Sequence, residues 1–153
     1  MIEFKSGDIL KVTSGYIGQG VAEGNQEGLG TGLALKISTK WPHVQSAFKK
    51  HCRSTKIKGG SIWTYPPDNK NPGFIYLATQ PDMYHAKFPY VRKAFKKMDA
   101  WAIVNRPDTI YLPKIGAGLG KLSWRNEIKP LMKEIFGESS IKYVVFEEYT
   151  FDR

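Results

Sequence analysis

The residues with the most chemical content are two glycine runs. Gly28-Leu29-Gly30-Thr31-Gly32 leads into an apolar-periodic helix, and Gly116-Ala117-Gly118-Leu119-Gly120 follows the apolar stretch Ile110-Tyr111-Leu112. Glycine at alternate positions removes Cβ where a ligand approaches and permits positive φ. Successive backbone N–H groups then converge on phosphate oxygens, helped by the positive end of the following helix. A glycine run also makes an ordinary turn, but here each lies between a predicted strand and a predicted helix. The two are read as loops facing one another across one diphosphate-containing ligand. No Gly-Lys-Ser/Thr follows either run, so neither is a Walker A loop. Neither opens a strand–turn–helix unit with an acidic residue at the dinucleotide-fold distance.

The other reactive side chains narrow the chemistry. The three histidines are scattered and no pair has metal-ligand spacing, so no metal site is predicted. The lone Cys52 rules out an internal disulfide and suits a reducing, cytoplasmic compartment. Its neighbour His51 would point away from it on a helix, so Cys52 is read as structural.

Strands alternating with helices must position the two loops. Ile2–Lys5 reads as a first strand, Ile9–Val12 as a short extended piece and Tyr16–Val21 as a strand loosened by Gly18 and Gly20. Leu33, Ile37 and Trp41 recur at helical spacing, and Pro42 ends that helix. Val44, Ala47 and Phe48 predict a second short helix. Ser61–Tyr65 and Phe74–Thr79 pair as strands around the turn-rich segment 66–73. Gln80–Pro89 is irregular, and Val91, Ala94, Phe95, Met98 and Ala102 mark the next helix. Thr109–Leu112 is the strand before the second glycine run. Ile128, Leu131, Met132, Ile135 and Phe136 form a closing helix with Gly137 at its C′ position, and Ile141–Glu148 is a buried strand. This alternation predicts one α/β domain over residues 1–153, with helices on both faces of a sheet.

Composition limits the partners. The hydrophobic and charged shares of 41% and 24% are ordinary for a globular chain. No apolar run is long enough to span a bilayer, and no membrane partner is expected. The net charge of +9 favours an anionic ligand without choosing its size. The basic residues are dispersed. Lys49-Lys50-His51-Cys52-Arg53 and Arg92-Lys93 with Lys96-Lys97 fall on predicted helices, where a solvated face is the plain reading. No RNA-recognition signature, zinc-finger spacing or basic heptad is present.

The ordered segments Gly7-Asp8-Ile9-Leu10, Gly28–Ala34 with Lys40-Trp41-Pro42, and Leu112–Gly120 with Leu122-Ser123-Trp124 resemble the macro domain across essentially the whole chain. The resemblance is closest to the branch of terminal ADP-ribose protein glycohydrolase, the antitoxins that reverse DNA ADP-ribosylation and the yeast ADP-ribose-1″-phosphate phosphatase. It implies a three-layer α/β/α domain with a central mixed sheet and an ADP-ribose cleft at the C-terminal strand ends. By position, Asp8 resembles the carboxylate that accepts a hydrogen bond from the adenine amino group, with Ile9 packing nearby. Gly28, Gly30, Thr31, Gly32 and Leu33 match the loop that cradles one phosphate. Ile115, Gly116, Ala117, Gly118, Leu119 and Gly120 match the loop that closes over the diphosphate and distal ribose, and Phe146 the aromatic ring against adenine.

The departures from that branch bear on mechanism. Its glycohydrolases attack the ribose with a lysine assisted by an aspartate, and those positions here hold Gln80 and Gly120. Gln has no amine to form a covalent adduct, so the lysine–aspartate mechanism is not expected. The segment 19–27 is about two residues longer than in close relatives. Within it Asn25 is the candidate to orient the distal ribose, and Glu23 or Glu27 the candidate base for water. His85, with Lys87, is the candidate to reach a terminal phosphate. The expectation is a monomeric, cofactor-independent hydrolase of an ADP-ribose derivative, free or carried on protein or nucleic acid. The alternative is a reader that binds ADP-ribose without chemistry.

Overall fold

The computed structural model describes residues 1–24, 32–82, 85–117 and 121–149. Six strands, β1 (Ile2–Gly7), β2 (Tyr16–Ala22), β3 (Ile62–Tyr65), β4 (Gly73–Gln80), β5 (Ile110–Leu112) and β6 (Tyr143–Tyr149), form one mixed sheet in the order β1-β6-β5-β2-β4-β3. All neighbours are parallel except the β3–β4 pair. The parallel strands read as apolar runs because both faces are covered; β4 is buried from Gly73 to Thr79.

Two helical layers cover the sheet. On one face lie α1 (Gly32–Lys40) and α2 (Pro42–Ser54), whose Ile37, Val44, Phe48 and Cys52 pack on Ile17, Phe74 and Tyr76. On the other lie α3 (Phe88–Asn105) and α4 (Lys129–Phe136), whose Val91, Phe95, Met98, Met132 and Phe136 pack on Ile75, Leu77, Leu112 and Val145. Each fully buried side chain of this size contributes about 1.5–3 kcal/mol. The three-layer α/β/α architecture expected from the sequence is the one observed.

Three local expectations are corrected. Ile9–Lys11 is a 3-10 turn rather than an extended piece, because the Asp8 carboxylate accepts the Leu10 N–H at 2.9 Å and caps it. The second helix is not short. Its buried stripe Val44, Phe48, Cys52 carries it over 13 residues, and Cys52 is part of that core. Gly137 ends α4 with right-handed φ −58°, not as a left-handed C′ residue. It serves close packing instead, since a Cβ there would lie 2.4 Å from the Lys133 carbonyl oxygen.

Candidate functional site

The order of strands places a crevice. From the C-terminal end of β2 the chain turns to α1 on one face. From the end of β5 it turns to α4 on the other. Adjacent parallel strands whose exits diverge leave a gap at their carboxyl ends, where open α/β sheets bind ligands. The gap is deepened because β2 outruns β5: they pair only at Tyr16↔Ile110 and Ile17↔Tyr111, whereas β2 pairs with β4 as far as Ala22.

The β5 wall is a built turn. Ile115 is buried and anchors it, while the Ile115 N–H donates to the Pro113 carbonyl (2.8 Å) and the Ala117 N–H to the Lys114 carbonyl (3.2 Å). Gly116 has φ +79°, a conformation that disfavours a side chain, and its carbonyl accepts the Leu122 N–H at 2.9 Å. The segment leaving this loop is clamped. The Ser123 hydroxyl accepts the Asn126 N–H (3.1 Å), and the Ser123 N–H donates to Glu127 Oε2 (2.7 Å), a reciprocal cap on a π-helical turn over Trp124–Ile128. The Trp124 indole N–H donates to Glu147 Oε1 at 3.2 Å, and the Lys129 ammonium binds the same oxygen. Those bonds, the Lys129 one first, hold the Glu147 carboxyl below its ordinary range. Gly118, Leu119 and Gly120 lie outside the described residues.

On the β2 wall, Asn25, Glu27, Gly28, Gly30 and Thr31 lie outside the described residues, and Gly32 and Leu33 open α1, with Leu33 half-buried on its sheet face. Glu23 is described and is heavily engaged. Its Oε1 accepts the Tyr90 hydroxyl and its Oε2 the Gly59 N–H, each at 2.9 Å. Donating to Glu23 raises the Tyr90 phenol above its usual value. With Gly24 bridged to Ile57, this clasp fastens the exit of β2 to α3 and to the segment before β3.

The remaining candidates divide in two. Asp8, Ile9 and Phe146 come together at the carboxyl ends of β1 and β6. Ile9 is fully buried, and the Phe146 ring lies so close to Gly7 that a Cβ there would meet it at 2.7 Å. Phe146 is 5% exposed and stacks on Tyr111 with centroids 6.2 Å apart. His85 lies on the β4–α3 connection, 63% exposed, with its backbone N–H donating to Asp82 Oδ1 at 3.0 Å. Gln80 ends β4 and donates to the Asp82 carbonyl at 2.6 Å.

Two residues unread in the sequence lie beneath the crevice. Gln19 of β2 is 4% exposed on the α1/α2 face, and neither side-chain amide atom has a partner. Thr79 of β4 is fully buried with an unpaired hydroxyl, beside Gly20 and so next to Ile115. A glutamine between apolar strand positions was the one available signal. Among the described residues no cluster of His, Cys, Asp and Glu could hold a metal ion, and no helix is long and apolar enough to cross a membrane.

No protein-family profile matches the chain. Among curated proteins it is 24% identical over 119 residues to the ADP-ribose glycohydrolase OARD1 of Homo sapiens, covering 77% of this chain and 73% of that one. It is 28% identical over 109 residues to the DNA ADP-ribosyl glycohydrolase of Thermus aquaticus, covering 69% of this chain but 30% of that protein. In three dimensions it matches the macrodomain of Thermus aquaticus DarG with a TM-score of 0.85 and 23% identity, over 96% of this chain and 98% of that one. Thermosipho africanus DarTG in complex with ADP-ribose matches with a TM-score of 0.76 and 17% identity, over 90% of this chain and 38% of that one. The structural neighbours are macrodomains, and the chain has the macrodomain fold.

Proposed function

We propose that the crevice between β2 and β5 binds ADP-ribose and that the protein hydrolyses an ADP-ribose derivative there. The derivative is ADP-ribose-1″-phosphate or an ADP-ribosyl adduct on protein or nucleic acid. The observation that carries this reading is the switch-point crevice of a macrodomain fold with Asp8 at one side and a glycine-built turn as its wall. The names of two relatives, an ADP-ribose glycohydrolase and a DNA ADP-ribosyl glycohydrolase, support it.

In this reading Asp8 accepts the adenine amino N–H, a donor that guanine replaces with a carbonyl. Ile9 and the edge of Phe146 border the ring. The diphosphate lies between Gly28–Leu33 and Ile115–Gly120. Hydrolysis forms a bond from water oxygen to the anomeric carbon and breaks the bond to the leaving group, which departs with a proton. With Gln80 where the glycohydrolases keep lysine, water attacks directly. Asn25 orients the ribose, and the water's proton goes to Glu27 or Glu23 or to the ligand's own phosphate. The two bonds already made by Glu23 favour Glu27 between the carboxylates. His85 would reach a terminal phosphate. Residues 1–153 form one domain that acts as a monomer without metal or cofactor, and the buried cysteine Cys52 suits the cytoplasm.

A second reading, a non-catalytic reader, is favoured by Gln80 and Gly120 and by the engagement of Glu23. Calorimetry with ADP-ribose and mass analysis after incubation with ADP-ribose-1″-phosphate, an ADP-ribosylated peptide and an ADP-ribosylated oligonucleotide separate the readings. Binding with product above the uncatalysed rate supports the hydrolase, and binding without product leaves the reader. Asp8→Ala is expected to weaken ADP-ribose at least about tenfold, a charge-assisted hydrogen bond being worth roughly 1.5–3 kcal/mol. No binding by the wild-type protein would sink both readings.

A further inference from the structure

The basic residues are dispersed along the chain, but the acidic residues are not. Between Gly28 and Pro67 there are seven Lys and Arg and no Asp or Glu, which leaves sixteen basic against fourteen acidic for everything else. α1, α2, the segment after α2 and β3 therefore carry basic residues with no carboxylate among them. On the opposite layer, α3 and α4 carry basic residues too, but there carboxylates stand among them, with Arg92 paired to Glu134 at 3.3 Å and Lys129 to Glu147.

A row of rings crosses this basic layer at the sheet edge. Trp63 and Tyr65 of the edge strand β3 pair with Tyr76 and Phe74 of β4, so both point to the α2 side. From within, Trp63 rests on Phe48 and Tyr76, each 5.2 Å away. Along α2, His43 and His51 stand eight residues apart on one flank. His43 meets Tyr65 at 5.8 Å, His51 meets Trp63 at 6.0 Å, and the two strand rings lie 5.9 Å apart. All four are exposed or half-buried. Lys50 lies on the same flank, and exposed Lys56 and Lys58 continue past the end of α2. Between them Ile57 bridges Gly24, so the row ends at the rim of the crevice.

We infer that the α2–β3 corner is a binding surface for single-stranded nucleic acid, with lysines on its phosphates and Trp63 and Tyr65 as platforms for its bases. Phosphates need dispersed cations, and unpaired bases need half-exposed rings fixed from behind. An acidic protein would use the charge and leave the ring row without a role. The surface goes beyond the crevice reading. Only its use, holding an adduct-bearing strand so that the adduct reaches the crevice, rests on that reading.

Fluorescence anisotropy with labelled, unmodified oligothymidylate on the order of 20 nucleotides tests the surface. Binding should weaken steeply with salt and exceed that of a duplex of equal length. The triple variant Lys50→Glu, Lys56→Glu, Lys58→Glu should bind at least about tenfold more weakly, with a log–log salt slope flatter by about 2, at roughly 0.7 per lost phosphate contact. Trp63→Leu, or Tyr65→Leu if the first does not fold, should cost about tenfold at constant salt slope. Lys96→Glu, Lys97→Glu, Lys133→Glu on the opposite layer should stay within about twofold of the wild type, an exposed charge far from the strand acting only through the screened field. An equal loss in this control, wild-type affinity in the first triple variant, indifference to both ring variants, or no binding at low salt would overturn the inference. Because the oligonucleotide carries no ADP-ribose, these outcomes are independent of whether the crevice binds it. ADP-ribose calorimetry on the same variants reports that separately.

Discussion

The two faces of the sheet are built on different terms. The α3/α4 face is a closed apolar core whose rim is hydrogen-bonded, with the Thr79 hydroxyl its one unpaired buried side-chain group among the described residues. Asp99 accepts the Tyr143 hydroxyl at 2.7 Å and the Ser139 hydroxyl at 2.6 Å, and the Met1 ammonium donates to the carbonyls of Phe136, Ser139 and Ile141. The α1/α2 face buries Gln19 and the Tyr76 hydroxyl with no partner for either. It also contains Ile9 and Phe146, the residues beside Asp8, and its helices carry no acidic residue. An unsatisfied buried amide costs roughly 1–3 kcal/mol. Both faces bury an unpaired group, but the larger cost, a whole amide, falls on the face where a ligand would be recognised.

The comparison is broken most severely from the stable side. Phe95 is fully buried on α3 against Phe136, with ring centroids 5.1 Å apart. Phe95→Ala should cost about 3–5 kcal/mol, the sum of lost transfer energy and a residual cavity. Urea unfolding measures it. Calorimetry on the folded protein should find its affinity for ADP-ribose within about twofold of the wild type, because Phe95 faces away from the α1/α2 side (a core change felt only through packing adds nearly independently). A large affinity loss would show that the division between faces is false.

Much of this arrangement was legible in the sequence, for a physical reason. Stripes such as Val91, Ala94, Phe95, Met98 and Ala102 state which residues share a buried face, and the turn-rich segment 66–73 dictates the β3–β4 hairpin. What escaped depended on partners far along the chain or on local capping. The hydrogen bonds of Glu23 come from residues 36 and 67 positions away, so a loop carboxylate and a structural clasp look alike in the sequence. The 3-10 turn after Asp8 and the π-helical turn after Ser123 are each set by one side-chain cap that apolar periodicity does not register. Of the candidate site, Asp8, Ile9 and Phe146 are brought together and His85 lies exposed on the connection after β4. Asn25, Glu27, Gly28, Gly30, Thr31 and Gly118–Gly120 fall outside the described residues. Gln19 was read only as a strand position between two glycines, and burial gave it meaning.

Gln19 sharpens the comparison from the other side. Gln19→Met keeps the side chain's length and removes both unpaired amide atoms. It should stabilise the protein by about 1–3 kcal/mol, the desolvation cost of the unsatisfied groups. If the amide serves the crevice, calorimetry should show ADP-ribose bound more weakly by the variant, stability and affinity moving in opposite directions. A more stable variant with unchanged affinity would leave the buried amide unrelated to the ligand.

The smallest effect concerns Glu147, where the paired face meets the crevice wall. Its carboxyl is depressed, first by the Lys129 hydrogen bond and then by the Trp124 indole. A carboxyl with a lower pKa folded than unfolded stabilises above its unfolded value, and that stability is lost as pH falls through the folded value. Glu147 and Lys129 are each more than a quarter exposed, so water screens the pair and the contribution is a few tenths of a kcal/mol, up to about 1. Glu147→Gln should therefore be slightly less stable than the wild type at pH 7, the difference shrinking as pH falls below the ordinary glutamate value of about 4.3 and gone once it passes the depressed folded value. Urea midpoints measured between pH 3 and 7 check the sign, on the order of tenths of a kcal/mol being resolvable from parallel curves. If Glu147 also fixes the exit of the β5 loop through Trp124, the same variant should lose ADP-ribose affinity at pH 7 by more than its stability loss. A loop held only by Gly116, Leu122 and the Ser123 cap would show no such excess.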